Sequence, residues 1–326
     1  MAAYTQINDT QLNHYLASFE LGPLVEFSSI ANGTENTNYF VTTGLPDQPY
    51  HDYVLTLFED LQYQELPYFV ALTAHLVSHG VTVPSPVLDA HGQALKQLAG
   101  KPALLLPRFA GQHLTRENIT PAICTCIGTV LAQLHQAGQN FTLKRQSHRG
   151  HRWWQRLGPM VAEHLPVAER ILLMDTIDDH RDLLKDQPEL PTGVIHGDLF
   201  HDNALFYQGK LSAIIDIYNA STDYLLFDVA IAVNDWCIDV NGCFVDTLAN
   251  ALLLSYHQRR PFTLTEAQYW PRLLAIAAMR FWLSRLESSL GFNAHQLQNG
   301  MAAHKDPNTF RDILIDHRKE CHQLPL

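Results

Sequence analysis

The stretch Ile195-His196-Gly197-Asp198-Leu199-Phe200-His201-Asp202-Asn203 holds the densest cluster of chemically active side chains in the sequence, and Ile214-Ile215-Asp216-Ile217-Tyr218 follows it closely. Asp198 and Asn203 are five positions apart, and Asp216 lies 13 positions after Asn203. Short apolar runs on either side, Val194 to Tyr207 and Lys210 to Asp216, read as short strands flanking tight turns, so the three oxygen-bearing groups sit at turns. Transfer of a phosphoryl group requires such a set. One carboxylate orients the attacking hydroxyl and takes its proton, while an amide oxygen and a second carboxylate hold a divalent ion against the phosphates. A transition-metal site built from His196, Asp198, His201 and Asp202 is the rival reading, but it leaves Asn203 and Asp216 without a role.

The elements on either side suggest a fold of two lobes. Thr10 to Phe19 reads as a short helix, and Leu24 to Ile30, Asn38 to Thr43 and Tyr53 to Glu59 read as three strands. A helical apolar stripe from Tyr63 to Ser78 stops at Gly80. A hairpin, Gln93 to Leu98 and Pro102 to Pro107, then turns around Ala99-Gly100-Lys101. Beyond it the chain is mostly helical. Helices are expected from Thr120-Pro121 to about His135, and over Arg152–His164, Val167–Leu184, Asp223–Ile238, Phe244–His257, Thr265–Ser289 and Pro307–His322. The fold class is therefore α+β. A small antiparallel-sheet lobe (residues 1–107) precedes a larger, mainly helical lobe (residues 108–326), with a ligand cleft expected between them.

The catalytic-loop spacing matches the H-R-D-x-x-x-x-N pattern of kinases. More specifically, H-G-D-x-x-x-x-N followed by I-D-[FWY] resembles the aminoglycoside-phosphotransferase-like branch of the protein-kinase superfold. Ala31 to Phe40, with its Glu35-Asn36-Thr37-Asn38-Tyr39-Phe40, is similar to the G-x-E-N-T-N-Y-F stretch of the homoserine kinases of that branch. The strand Tyr53-Val54-Leu55-Thr56-Leu57-Phe58-Glu59 and the helix segment Arg280-Phe281-Trp282-Leu283-Ser284-Arg285-Leu286 resemble the same family. The resemblance implies a two-lobed kinase-like fold and ATP-dependent phosphorylation of L-homoserine to O-phospho-L-homoserine, a step toward threonine. It assigns Asp198 to the hydroxyl proton, and Asn203 and Asp216 to Mg²⁺. Gly33, Thr34, Asn36, Thr37, Asn38 and Thr56 fall on the nucleotide side, with Leu105 and Phe109 at the adenine hinge. It places Asp202, Tyr218, Asp235, Arg280 and Arg285 around the acceptor, with Arg280 preferred over Arg285 for the carboxylate and Asp235 a candidate for the ammonium. Asp228 is expected to brace the catalytic loop.

One departure stands out. Kinases place a Lys on the third strand to meet the α- and β-phosphates, and here that position is Thr56. Choline, methylthioribose or an aminoglycoside as acceptor, and a non-catalytic nucleotide-binding regulator, stay open at this point.

Composition narrows the classes further. The chain has 326 residues, 46% of them hydrophobic and 17% charged, which excludes a disordered chain. With 22 basic and 33 acidic residues its net charge is −11. That weighs against a nucleic-acid backbone or an anionic membrane as partner. Residues 1–100 contain a single basic side chain, Lys96, so the first lobe has little cation to offer a phosphate. No run of about 18 apolar residues occurs, and MAAYTQIND lacks the basic start and apolar centre of a signal peptide. The five cysteines are scattered, and the two of Cys124-Thr125-Cys126 point apart on a helix, so free thiols in a reducing cytoplasm are expected.

Overall fold

The structure is a computed structural model that describes residues 5–30, 36–292, 305–320 and 322–326. The chain forms two compact units, Met1–Gly111 with Ser212–Ile215, and Gln112–Leu211 with Asp216–Leu326. The first is mixed α/β and the second mainly helical.

In the first unit, helix α1 (Asp9–Leu16) starts at a capping box. Asn8 Oδ1 accepts from the Gln11 N–H, and Gln11 Oε1 accepts from the Asn8 N–H. Five strands follow in an antiparallel sheet: β1 (Leu24–Ser29), β2 (Asn36–Thr43), β3 (His51–Phe58), β4 (Lys96–Leu98) and β5 (Lys101–Pro107), in the order β1-β2-β3-β5-β4. Alternation along β2 buries Thr37, Tyr39, Val41 and Thr43 and leaves Asn36, Asn38, Phe40 and Thr42 on the other face. Tyr39, Val41, Tyr53, Leu55, Leu57, Ala103 and Leu105 pack against Leu12, Tyr15, Leu16 and Phe19, so α1 seals one face of the sheet. The β4–β5 hairpin is tighter than its sequence suggests. Ala99 and Gly100 both take positive φ (50° and 78°) in a two-residue turn, and Leu98 pairs with Lys101. Helix α2 (Leu66–Ser78) ends as expected, with the Val81 N–H reaching back to the Leu76 carbonyl around Gly80.

The second unit contains α3 (Pro121–Gly138), α4 (His151–Ala162), α5 (Val167–Asp186), α6 (Leu225–Trp236), α7 (Asp246–Arg259), α8 (Leu264–Ser289) and α9 (Pro307–Lys319). Two pieces of β structure carry the loop motif. Strand β6 (Thr192–Ile195) pairs antiparallel with β9 (Ser221–Tyr224), and β7 (Ala204–Tyr207) and β8 (Lys210–Ile214) form a ribbon leading from Asn203 toward Asp216. Strand β9 corrects the sequence reading, which began a helix at Asp223. Pairing with β6 holds Ser221–Tyr224 extended, and α6 starts at Leu225. Every residue of α6 is buried. Helix α8 opens with a second capping box, Thr263 with Glu266.

Cys124, Cys126, Cys237 and Cys243 are free thiols, and Cys321 lies outside the described residues. Among the described residues no helix is long and apolar enough to cross a membrane, and no group of three or more His, Cys, Asp or Glu side chains forms a metal cluster.

Candidate active site

Strand β6 delivers the chain to His196, and the next three amides are all committed. Asp228, on α6, accepts from the His196 N–H at 2.7 Å and the Gly197 N–H at 2.8 Å, and the Asp198 N–H donates to His196 Nδ1 at 3.2 Å. Asp228 is fully buried. Burial alone raises its pKa, but the hydrogen bond from His135 and the neighbouring imidazoles and amides outweigh it and hold the carboxyl below its ordinary value. An ionised acceptor thus clamps the loop from below, as the sequence led one to expect of Asp228. Gly197 takes φ +76°, and a Cβ there would stand 2.8 Å from the Asn219 carbonyl oxygen, so both conformation and space require glycine.

Asp198 and Asn203 are half-buried and Asp216 is exposed. Asn203 Nδ2 donates to the Asp198 carbonyl at 2.8 Å, which fixes the amide so that Oδ1 is its ligand end. Asp216 has left-handed backbone angles (φ 57°, ψ 52°), an uncommon state for a residue with a Cβ. The short 3₁₀ turn Ile217–Asn219 begins there and brings Asn219 Nδ2 to 3.4 Å from Asp198 Oδ2. Hydrogen bonds therefore tie the segments bearing Asp198, Asn203 and Asp216 to one another within the second unit. Asn219 was missed from the sequence. Its signal was an amide three positions after Asp216, in a turn.

The residues expected around the acceptor divide into two groups. Asp235 is fully buried, and its carboxylate is taken up by groups of this chain. Oδ1 meets Arg116 at 2.7 Å, and Oδ2 accepts from the His201 N–H at 2.7 Å and from His201 Nδ1 at 2.8 Å. Burial raises its pKa, but His201 and Arg116 overcome this and bring it down to about 2. The expectation that Asp235 meets a substrate ammonium is therefore corrected: the carboxylate has no exposed oxygen to give. Arg116 was not singled out in the sequence, since it lies 119 positions from its partner.

Asp202 is accessible and pairs with Lys305 at 2.6 Å. Arg280 is 5% exposed, with its guanidinium carbon 3.8 Å from the centre of the Phe281 ring. Arg285 is less buried. It donates to the Asp306 carbonyl at 2.7 Å and lies 4.4 Å over Phe310. Burial lowers its pKa to about 10, and the charges of Asp235, Arg116, Asp306 and Asp202 all act on it. Arg285 thus faces the acidic residues beside the catalytic loop. The five-residue step, about 140° around the helix, separates it from Arg280. Phe200 of the loop packs at a tilt on Phe281, with ring centres 4.4 Å apart, and stacks with Phe310 at 5.8 Å, which ties the loop to α8 and α9. Tyr218 is half-buried, and burial, with the Asp216 charge, pushes its phenol well above the usual range.

In the first unit, Gly33 and Thr34 lie outside the described residues. Thr37 is buried and donates to Glu59 at 2.7 Å, and Thr56 is buried and donates to Asn38 Oδ1 at 2.7 Å. Both hydroxyls are thus committed, while Thr56 leaves Asn38 with its amide N–H₂ as the uncommitted end. Asn36 lies on the same strand face as Asn38. Leu105 is buried, and its carbonyl accepts from the Val87 N–H at 2.8 Å; Phe109 is half-buried. The two lysines near the sheet are paired, Lys96 with Asp89 at 2.7 Å and Lys101 with Glu59 at 3.0 Å.

The phosphotransferase enzyme family matches residues 26–262. Homoserine kinase of Pseudomonas aeruginosa (strain LESB58) is 40% identical over 292 residues, covering 90% of each chain. Homoserine kinase of Methylobacillus flagellatus is 41% identical over 315 residues, 96% of this chain and 94% of the relative. A solved amicoumacin kinase, in complex with AMP-PNP and Ca²⁺, superposes with a TM-score of 0.68 at 17% identity, covering 97% of this chain and 93% of its own. At that identity the fold is what the two share.

Proposed function

This chain belongs to the phosphotransferase enzyme family, alongside its homoserine kinases, and from that premise we propose that it transfers the γ-phosphoryl group of ATP to the hydroxyl of L-homoserine. The observation that carries the reading is the set Asp198, Asn203 and Asp216, whose segments hydrogen bonds from Asp228, Asn203 and Asn219 tie together, with Asn203 oriented so that its amide oxygen is the ligand end.

In the reaction the homoserine oxygen forms a bond to the γ-phosphorus and the bond from that phosphorus to the β–γ bridging oxygen breaks, releasing ADP. The hydroxyl proton passes to Asp198. Asn219, donating to Oδ2, keeps that carboxylate aimed. The donor set of Asn203 Oδ1 and Asp216 fits Mg²⁺, which takes hard oxygen ligands and commonly has one or two protein ligands beside phosphates and water. Mg²⁺ bound there supplies charge neutralisation for the phosphates. With the strand-three Lys replaced by Thr56, Asn38 Nδ2 is the donor this chain offers to a phosphate oxygen in its place.

Homoserine brings a carboxylate and an ammonium. Arg285 suits the first and Asp202 the second, since both border the catalytic loop and both are accessible. A coupled assay with Mg·ATP and a panel of homoserine, choline, methylthioribose and an aminoglycoside tests the reading. Turnover confined to homoserine is expected. Preference for a polycation, or no transfer to any acceptor, overturns it.

A further inference from the structure

Behind Asp228 runs a second set of buried polar groups with no part in the chemistry described so far. His135 on α3 is fully buried, with Nε2 3.1 Å from Asp228 Oδ2 and Nδ1 2.6 Å from the Tyr256 hydroxyl on α7. Tyr256 is fully buried too. It stacks on Phe262, with ring centres 5.0 Å apart, and the Arg260–Glu266 ion pair at 2.8 Å lies beside it.

The hydrogens on this chain of contacts follow from its end points. A carboxylate only accepts, so His135 Nε2 carries a proton. In a neutral imidazole Nδ1 then has a lone pair, and the Tyr256 O–H donates to it. The Tyr256 hydroxyl therefore selects the tautomer of His135, and that tautomer supplies a donor to Asp228. Asp228 in turn fixes the amides of His196 and Gly197, one residue before Asp198. The close approach that makes this possible is built into the helices. A Cβ on Gly128, two turns before His135, would stand 2.1 Å from the Leu252 carbonyl oxygen and 2.3 Å from Ser255 Oγ. Glycine lets α3 settle onto α7 where Tyr256 follows Ser255.

We propose that Tyr256 is a positioning residue for phosphoryl transfer, acting through the tautomer of His135 and through Asp228 to hold the Asp198 loop in its reactive geometry. The inference rests on the function proposed above. Steady-state kinetics on Tyr256→Phe, His135→Gln and the double variant, each well below its melting temperature, test it. Losing one buried hydrogen bond behind the loop is expected to lower kcat about tenfold in Tyr256→Phe. KM for ATP and for homoserine should stay within about twofold, because neither residue touches a ligand. His135→Gln keeps a side-chain N–H for Asp228 and should retain more activity than His135→Ala. Adding Tyr256→Phe to His135→Gln should then cost nothing further, because the group through which Tyr256 acts is gone.

An unchanged kcat in folded Tyr256→Phe overturns the proposal, as does an equal loss from that change in both backgrounds. Should the variants not fold, ¹⁵N NMR of the wild-type histidines decides it. A protonated Nε2 and a bare, hydrogen-bonded Nδ1 at His135 are expected, and the opposite tautomer or an imidazolium overturns the inference. Absence of phosphoryl transfer by the wild type counts against the proposed function alone, since the NMR measurement still reads the tautomer.

Discussion

Asp198 sits where three successive amides are already bound, and its carboxylate accepts from Asn219, so backbone and side chain are both positioned by the turn. Asp198→Ala should leave nucleotide binding intact and reduce kcat by about 10²–10⁴, the range for loss of a general base. Asn219→Ala, which removes only a neutral donor to that carboxylate, should cost about tenfold. Asp216→Ala should act differently, raising the Mg²⁺ concentration needed for half-maximal rate, as a magnesium titration would show. The two arginines of α8 separate by burial. Arg285→Gln should raise KM for homoserine with little change in KM for ATP. Arg280→Gln, at a site 5% exposed, should instead lower the melting temperature. Equal effects of both on KM for homoserine would contradict the assignment.

At the scale of elements, helix packing rather than helix propensity decides where the loop sits. Alpha3 and α7 meet through Gly128, where a side chain would collide with backbone. Gly128→Ala should therefore destabilise the fold by about 1–3 kcal/mol, measured by urea unfolding, although alanine is the better helix former. It should also lower kcat, because the Tyr256–His135 contact depends on the same approach. The start of α8 is a more local matter. The Thr263–Glu266 capping box is readable in four residues, and Thr263→Ala should cost about 1 kcal/mol in the same experiment.

The molecule as a whole should lose stability early on acidification. His180 and His317 are buried, and burial, aided by His151 and Arg272 in one case and His322 in the other, lowers each pKa to about 3. In the unfolded chain histidine titrates near 6.5. Between those values the unfolded state binds more protons than the folded one. Stability is therefore fully present above pH 6.5 and is lost as pH falls toward 3, by up to about 1.4 kcal/mol per pH unit for each residue. Asp235, depressed to about 2, adds a second loss only below pH 4. Urea midpoints should accordingly fall between pH 6.5 and 5, and by less in His180→Phe. A flat midpoint over that window would show that these rings protonate without unfolding.

The amino-acid sequence by itself determined the sheet-first and helix-later division of the fold and singled out Asp198, Asn203 and Asp216 as the candidate set, while Asp228 came from the family resemblance alone. The division and the set follow from patterns that are short along the chain: alternation in β2, the five-residue step in the loop, a cap before α3. Only the tertiary structure decided that Asp235 is committed to Arg116 and His201, that Arg285 lies among the acidic residues beside the loop, and that His135 and Tyr256 stand behind Asp228. The Arg116–Asp235 and His135–Tyr256 pairs join residues 119 and 121 positions apart. The physical reason is that hydrogen bonding and burial act over a few ångströms in space, and a linear sequence does not record which distant segments packing brings within that range.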